Sequence, residues 1–211
     1  APVIPTAIFF IYQLLYYYCN DNYKIKITSL FFLNDMNMKY VINLCLLVCI
    51  SFSLYAQKTQ NKINWMTVEE VQEKMLTAPR KVYIDIYTDW CHWCKIMDKK
   101  TFTNKYVIDY MNENYYCIHF NAERKDMVTF NNKKYGLATG SKTNTLVMEW
   151  LQGQISYPTS LFFDEGFVNP QPVPGYLEIP TMEMIAKYIA QNKHKSIPFD
   201  KYKASFKGSW K

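Results

Sequence analysis

Two cysteines separated by two residues, Cys91 and Cys94, lie within Asp89-Trp90-Cys91-His92-Trp93-Cys94-Lys95. Such a pair serves one of three chemistries: a redox dithiol, half of a zinc site, or a haem attachment. Haem attachment needs a histidine directly after the second cysteine, and Lys95 stands there. A structural zinc site needs two more ligands at paired spacing, and no second cysteine pair follows downstream. Redox chemistry has its surroundings in place. A strand-like apolar run, Lys81 to Tyr87, leads directly into the pair, and Cys91 falls where a helix can begin. The free amide N–H groups and the dipole at a helix N-terminus favour thiolate over thiol, which makes the first cysteine the nucleophile. The redox reading leads, ahead of half a zinc site and of two inert thiols.

The elements that must position this pair follow from local pattern. Thr67-Val68-Glu69-Glu70 is a capping box, with Met66 and Val71 placed as a hydrophobic staple, and predicts a helix to about Thr77. Ala78-Pro79 ends it. Lys81 to Tyr87 alternates little, as a strand covered on both faces does, and Asp85 lies inside it. A helix from Cys91 to about Lys100 follows, then one from Asn104 to Asn114 capped by Thr103, then a strand from Tyr115 to Asn121. Asn131-Asn132 predicts the turn of a small hairpin within Met127 to Tyr135. Thr145 to Leu151 reads as a short helix closed by Gly153, and Ser160 to Phe163 as a strand stopped by Asp164-Glu165-Gly166. The prolines from 170 to 174 precede an expected edge strand, Gly175 to Glu178, and a final amphipathic helix covers Thr181 to Asn192. Helices and strands alternate in one α/β domain with no internal repeat. His119 and Cys117 read as packed strand residues, and His194 as a solvated member of a basic tail.

Of the 211 residues, the first stretch reads as something other than mature protein. Met38-Lys39-Tyr40 precedes an apolar run, Val41 to Ile50, and a plausible cleavage site, Ser53 to Ala56, before Gln57. This is the layout of a signal peptide over 38–56; an uncleaved leader that anchors the chain is the alternative. Residues 1–37, rich in Tyr, Phe, Ile and Asn, read as an upstream extension without function, with a hydrophobic N-terminal arm as the rival. The mature domain is then 57–195, followed by a basic, aromatic tail, 196–211. Three of six cysteines, Cys19, Cys45 and Cys49, fall before Gln57, so Cys91, Cys94 and Cys117 do not form a disulfide-stapled framework. From Gln57 onward 21 Lys and Arg face 16 Asp and Glu, a scattered formal +5 that gives no nucleic-acid stripe.

This arrangement resembles the thioredoxin superfamily over about Ile63 to Lys193. The likeness rests on Asp85 through Cys94 as an Asp-x-x-x-x-Trp-Cys-x-x-Cys signature, on Tyr157-Pro158-Thr159 as a cis-proline segment opening the third strand, and on the element order with Gly175 near the last strand. The Trp90 to Lys95 segment and the insertion between Asn121 and Tyr157 look most like exported thioredoxin-like proteins of Bacteroidetes-type bacteria with a Cys-His-Trp-Cys site. The resemblance implies a thioredoxin fold: a central mixed sheet flanked by helices, with an insertion before the cis-proline strand. It implies that Cys91 is the exposed nucleophile, that the more buried Cys94 resolves the mixed disulfide, and that Asp85 exchanges the proton of Cys94. Trp90 would pack beneath the active-site loop. Pro158, if cis, would leave the backbone of Tyr157 free to pair with a substrate strand, and Tyr157 itself would add a flat contact surface. His92 can stabilise a neighbouring thiolate, and Trp93 can shape the substrate surface.

The implied function is an exported thiol-disulfide oxidoreductase, periplasmic or secreted and more reductase than oxidase or isomerase, with no cofactor beyond its own cysteines. Its expected partners are protein thiols and disulfides and a membrane electron donor, not nucleic acid, with the protein itself a monomer. A thioredoxin-fold peptide-binding or chaperone module, with redox incidental, is the alternative from another class; a metal carrier using Cys91, Cys94 and His92 ranks third.

Overall fold

The computed structural model describes residues 61–211. The upstream stretch 1–37, the leader 38–56 and the cleavage site before Gln57 lie outside the described residues. Among those described, no helix is long and apolar enough to cross a membrane.

The central strand is β2, Lys81–Tyr87, and all of it but Tyr87 is buried. Burial on both faces explains why its sequence does not alternate. Val82, Ile84 and Ile86 point into one hydrophobic cluster, and Tyr83 into the other. β2 lies parallel to β3, Tyr115–Asn121, which in turn carries the two-residue β1, Trp65–Met66. On its other side runs β6, Thr159–Asp164, antiparallel, followed by β7, Val168–Pro174. The sheet order is β1-β3-β2-β6-β7, a mixed sheet with helices on both faces, and this is the thioredoxin fold that the motifs implied.

The first cluster is covered by α1, Val68–Met75, and by the insertion. The α1 capping box is complete: Thr67 Oγ1 accepts from the Glu70 N–H at 3.1 Å, and Glu70 Oε2 from the Thr67 N–H at 2.7 Å. Met66 packs into the cluster that holds Val71, as a hydrophobic staple requires. The insertion is a hairpin, β4 (Val128–Phe130) and β5 (Lys133–Tyr135), followed by α4, Thr145–Trp150. Asn131 and Asn132 both hold positive φ, 48° and 61°, the two-residue turn that matches strand twist. Glu69 and Gln72 of α1 fasten the hairpin by accepting from the Thr129 and Asn131 N–H groups at 2.7 and 2.8 Å.

The second cluster lies under α2 (His92–Lys100), α3 (Lys105–Asn114) and α5 (Ile179–Ala190). Here the structure corrects three local expectations. Asn104, not Thr103, caps α3: its Oδ1 accepts from the Tyr106 and Val107 N–H groups, while Thr103 Oγ1–H donates back to the Lys99 carbonyl. α5 begins two residues early, at Ile179, because Pro180 suits the first turn of a helix, where its missing N–H has no partner to lose.

The third correction is the edge strand. It is the proline stretch itself, Val168–Pro174, while Gly175 to Glu178 is loop. Pro170, Pro172 and Pro174 occupy alternate positions. Gln171 and Val173 lie between them, and the Gly175 N–H donates inward to the Pro158 carbonyl at 2.8 Å. The missing proline N–H groups therefore all fall on the outer rim, where no ladder bond is lost.

Residues past Ser196 belong to the same compact unit as the rest, Thr59–Lys211. A last helix, α6 (Phe199–Ser205), brings Phe199 and Tyr202 against Tyr188, and Trp210 packs edge-on to Tyr110. The buried Glu183 carboxylate fixes the terminus by accepting from the Ser209 and Trp210 N–H groups, each at 2.9 Å. His194 is not solvated: its Nε2 lies 3.1 Å from Asp164 Oδ1, beside the buried Lys81.

Candidate active site

Cys91 is the N-cap of α2, and its Sγ accepts from the Cys94 N–H at 3.1 Å. The helix that begins here turns its free amide groups and positive dipole end toward that sulfur. Cys91 and Cys94 are joined as a disulfide, with Cα atoms 5.3 Å apart. The expected contrast in exposure is small, since Cys91 is 4% exposed and Cys94 2%. The large apolar side chains next to the pair in sequence lie at the surface. Trp90 and Trp93 are 65% and 54% exposed.

Trp90 therefore does not pack beneath the loop. Its Nε1–H donates to Glu123 Oε2 at 3.1 Å, and its ring meets the Tyr157 ring edge-on at 5.8 Å. Glu123 comes from the insertion, which has no counterpart in the local pattern around the cysteines, so the sequence carried no sign of this outward anchor. Trp93 stacks on Tyr176 with ring centres 5.7 Å apart and planes 21° from parallel. His92 is exposed, its ring edge-on to Trp93. The Tyr157–Pro158 bond is cis. Trp93, Tyr157, Pro158, Gly175 and Tyr176 line one apolar cleft of about 250 Å³. Tyr176, expected in a strand, instead forms a wall of this cleft.

β2, the strand that leads into the disulfide loop, carries Asp85, whose side chain is 2% exposed. The parallel register sets it opposite His119 of β3, and His119 Nε2 lies 3.1 Å from Asp85 Oδ2. The approach is off the line of a hydrogen bond. Asp85 Oδ1 and His119 Nε2 both lack a hydrogen-bond partner among the described residues. Asp98, on α2 one helical turn after Cys94, brings Oδ1 to 3.6 Å from the same Nε2. The imidazole is held flat between Tyr87, ring centres 3.9 Å apart, and Trp65, 5.0 Å apart. Burial raises the Asp85 pKa above the ordinary carboxylate value; His119 pulls it back in part. Asp98 shifts the same way for the same reasons.

His119, read from sequence as simple packing, and Asp98, not singled out, thus join Asp85. The i, i+4 spacing of Cys94 and Asp98 was a usable signal; the pairing of Asp85 with His119 needed the sheet register. Asp85, Asp98 and His119 offer ligand atoms within 4.8 Å of one another, the single such group among the described residues. Three ligands with no cysteine fall one short of a closed zinc shell, and two carboxylates sharing one imidazole nitrogen suit the handling of a proton. Cys117 is a buried free thiol that burial pushes up in pKa, an inert packing residue.

A thioredoxin fold with a Cys-x-x-Cys disulfide at a helix N-terminus defines the class. The chain belongs to the Thioredox_DsbH family, described as a protein of unknown function, DUF255, which it matches over residues 48–197. It is 24% identical over 96 residues to spermatogenesis-associated protein 20 of Mus musculus, covering 45% of this chain and 12% of that one. It is 30% identical over 115 residues to the thiol:disulfide interchange protein DsbD of Actinobacillus pleuropneumoniae, covering 53% of this chain and 17% of that one. The chain thus spans under a fifth of the length of either curated relative. Among solved structures, it is similar to a thioredoxin-fold protein from Helicobacter pylori, with TM-score 0.47 and 16% identity over 59% of this chain and 81% of that one. It is also similar to a DsbH oxidoreductase, with TM-score 0.41 and 12% identity over 65% and 87%.

Proposed function

We propose that this protein is a thiol-disulfide oxidoreductase that exchanges protein disulfides through Cys91 and Cys94. The observation that carries the reading is the placement of a bonded Cys-x-x-Cys pair at the first turn of α2, with a buried carboxyl, Asp85, on the strand that leads into it and one of its oxygens without a hydrogen bond. The name of the DsbD relative, a thiol:disulfide interchange protein, agrees with it.

In the reductive direction the Cys91 thiolate, favoured by the helix terminus, attacks a substrate disulfide and displaces one substrate thiolate. Cys94 gives its proton to Asp85, attacks Cys91 Sγ and releases the second substrate thiolate. A carboxyl whose pKa is raised by burial accepts that proton more readily than an ordinary one. The cleft lined by Trp93, Tyr157, Pro158 and Tyr176 receives the substrate chain, with Trp90 as its outer rim. No cofactor beyond the cysteines takes part. Export through the 38–56 leader to a periplasmic or secreted site of action rests on the leader pattern, and a Bacteroidetes-type origin on the Cys-His-Trp-Cys segment; a membrane electron donor and a monomeric state complete the reading.

The test is reduction of insulin disulfides with dithiothreitol as electron source. Cys91→Ser abolishes it, and Cys94→Ser accumulates mixed disulfides. A wild-type protein that reduces nothing, yet binds unfolded peptides as well when Cys91 is serine, is instead a binding module; the exposure of Trp90 and Trp93 favours that second reading. Equilibration with glutathione then gives direction. A reduction potential of about −270 mV marks a reductase, and one between about −180 and −120 mV an oxidase or isomerase, with His92 the first residue to replace.

A further inference from the structure

Asp85 has a problem that its own strand does not solve. A carboxyl that takes a proton from Cys94 either returns it when the pair is reduced again or exchanges it with solvent, and the side chain of Asp85 is itself sealed from water. Exposure rises in steps across the three groups around His119 Nε2: 2% for Asp85, 25% for His119 and 41% for Asp98. One nitrogen lies nearest both carboxylates, at 3.1 and 3.6 Å; neither contact is a hydrogen bond as it stands, and a small in-plane shift of the ring or of Asp98 closes each in turn. Stacking between Tyr87 and Trp65 holds the ring in that plane.

The other titratable groups here do not substitute for it. The Tyr83 hydroxyl next to Asp85 is engaged with Ser160 at 3.1 Å, and burial raises its pKa. Tyr87 lies with its ring face on the imidazole, and burial raises its pKa too. Cys117 is buried on the same strand as His119 and holds its proton. Among the described residues no lysine or arginine forms an ion pair with Asp85 or Asp98.

Resting on the oxidoreductase reading, we infer that His119 is a positioning and proton-relay residue that connects Asp85 to solvent through Asp98. In the resolving step the Cys94 S–H proton passes to the Asp85 carboxylate as the new Cys91–Cys94 bond forms. The Cys91–substrate bond breaks, and its electron pair leaves on the substrate sulfur, which water protonates. The protonated Asp85 then donates to neutral His119 Nε2, and the imidazolium donates from that same nitrogen to Asp98, which exchanges with water. The cysteine pair is oxidised by two electrons and the substrate disulfide is reduced by two.

Single turnover of the reduced protein with 5,5′-dithiobis(2-nitrobenzoate) separates the steps. Attack by Cys91 releases one coloured thiolate, and resolution by Cys94 releases the second. His119→Gln leaves the first phase within about twofold, and in a separate assay, insulin reduction with dithiothreitol as electron source, it slows turnover by about tenfold to a hundredfold at pH 7. Added imidazole buffer restores turnover in His119→Ala, which a purely packing role does not allow. Asp98→Asn, a half-exposed change that keeps the aromatic stack, shows a smaller slowing in the same direction and covers the case of a His119 variant that does not fold. Wild-type turnover in His119→Gln and Asp98→Asn from pH 5.5 to 9 overturns the relay alone. A wild-type protein that releases neither thiolate overturns the oxidoreductase reading and the relay with it.

Discussion

Two buried carboxylates, Asp85 and Asp164, sit on adjacent strands of one sheet and have opposite fates. Asp164, at the end of β6, is 3% exposed and ringed by donors. Lys81 Nζ lies at 2.5 Å, Asn169 Nδ2 at 3.0 Å, His194 Nε2 at 3.1 Å and Lys195 Nζ at 3.4 Å. Burial alone would raise its pKa, but these partners more than reverse that and hold it well below the ordinary carboxylate range. Asp85 is as closed to water but lies deeper in the interior, and it meets one imidazole off the hydrogen-bond line; its pKa is raised. Depth and partners both separate the two: burial dominates at Asp85, and the ring of donors at Asp164. The first carboxylate is a permanent ion that ties the C-terminal segment to the sheet, and the second is held ready to change its protonation.

The largest effect should come from breaking the paired site. Asp164→Ala removes the nearest partner of the buried Lys81, which keeps Asn192 Oδ1 at 2.9 Å and Glu165 Oε1 at 3.5 Å, and should cost about 3 kcal/mol in urea unfolding. Asp85→Asn should do the reverse to stability, raising it by about 1 kcal/mol at pH 7 because a poorly satisfied buried charge is removed, while insulin reduction falls about tenfold or more. A stability loss at Asp85 comparable to that at Asp164 would break the contrast. A smaller effect should come from His194→Gln, which removes one of several partners of Asp164 and should lower stability by about 1 kcal/mol with no change in turnover.

A pH series sharpens the comparison further, because the two groups have opposite linkage. Asp164 has a depressed folded pKa, so its contribution is complete above the unfolded value of about 3.9 and fades as pH falls through the folded pKa. Asp85 has a raised folded pKa, so the native state binds the extra proton and stability falls as pH rises from about 3.9 through the folded value. Between pH 3 and 8, the stability of Asp85→Asn minus that of wild type should therefore grow with pH. For Asp164→Ala, the loss should shrink as the solution is acidified below about pH 4.

The legible parts of this molecule were those whose cause is local. The Thr67–Glu70 box, the Asn131-Asn132 turn and the unbroken run of β2 each declare themselves within a few residues. The placement of Cys91 at a helix start followed from the same short range. What the sequence did not disclose depends on register and on distant chain. His119 reaches Asp85 only because β2 and β3 pair as they do. His194 is withdrawn from solvent by a carboxylate thirty positions earlier. Trp90 turns outward because Glu123 of the insertion accepts its N–H. The proline stretch was misplaced for a different reason: proline argues against a strand unless its missing donors face outward, and that depends on which neighbour the strand has.

That proline rim has a consequence for the company the protein keeps. A passing strand can add to a sheet only if the rim offers donors and acceptors in turn, and β7 presents acceptors with donors absent at Pro170, Pro172 and Pro174. At the opposite side, β1 is only two residues long. A protein that handles partly folded chains works among sticky, strand-prone polypeptides. One whose sheet cannot be extended at its rim can meet them at the disulfide and let them go, without becoming the seed on which they aggregate.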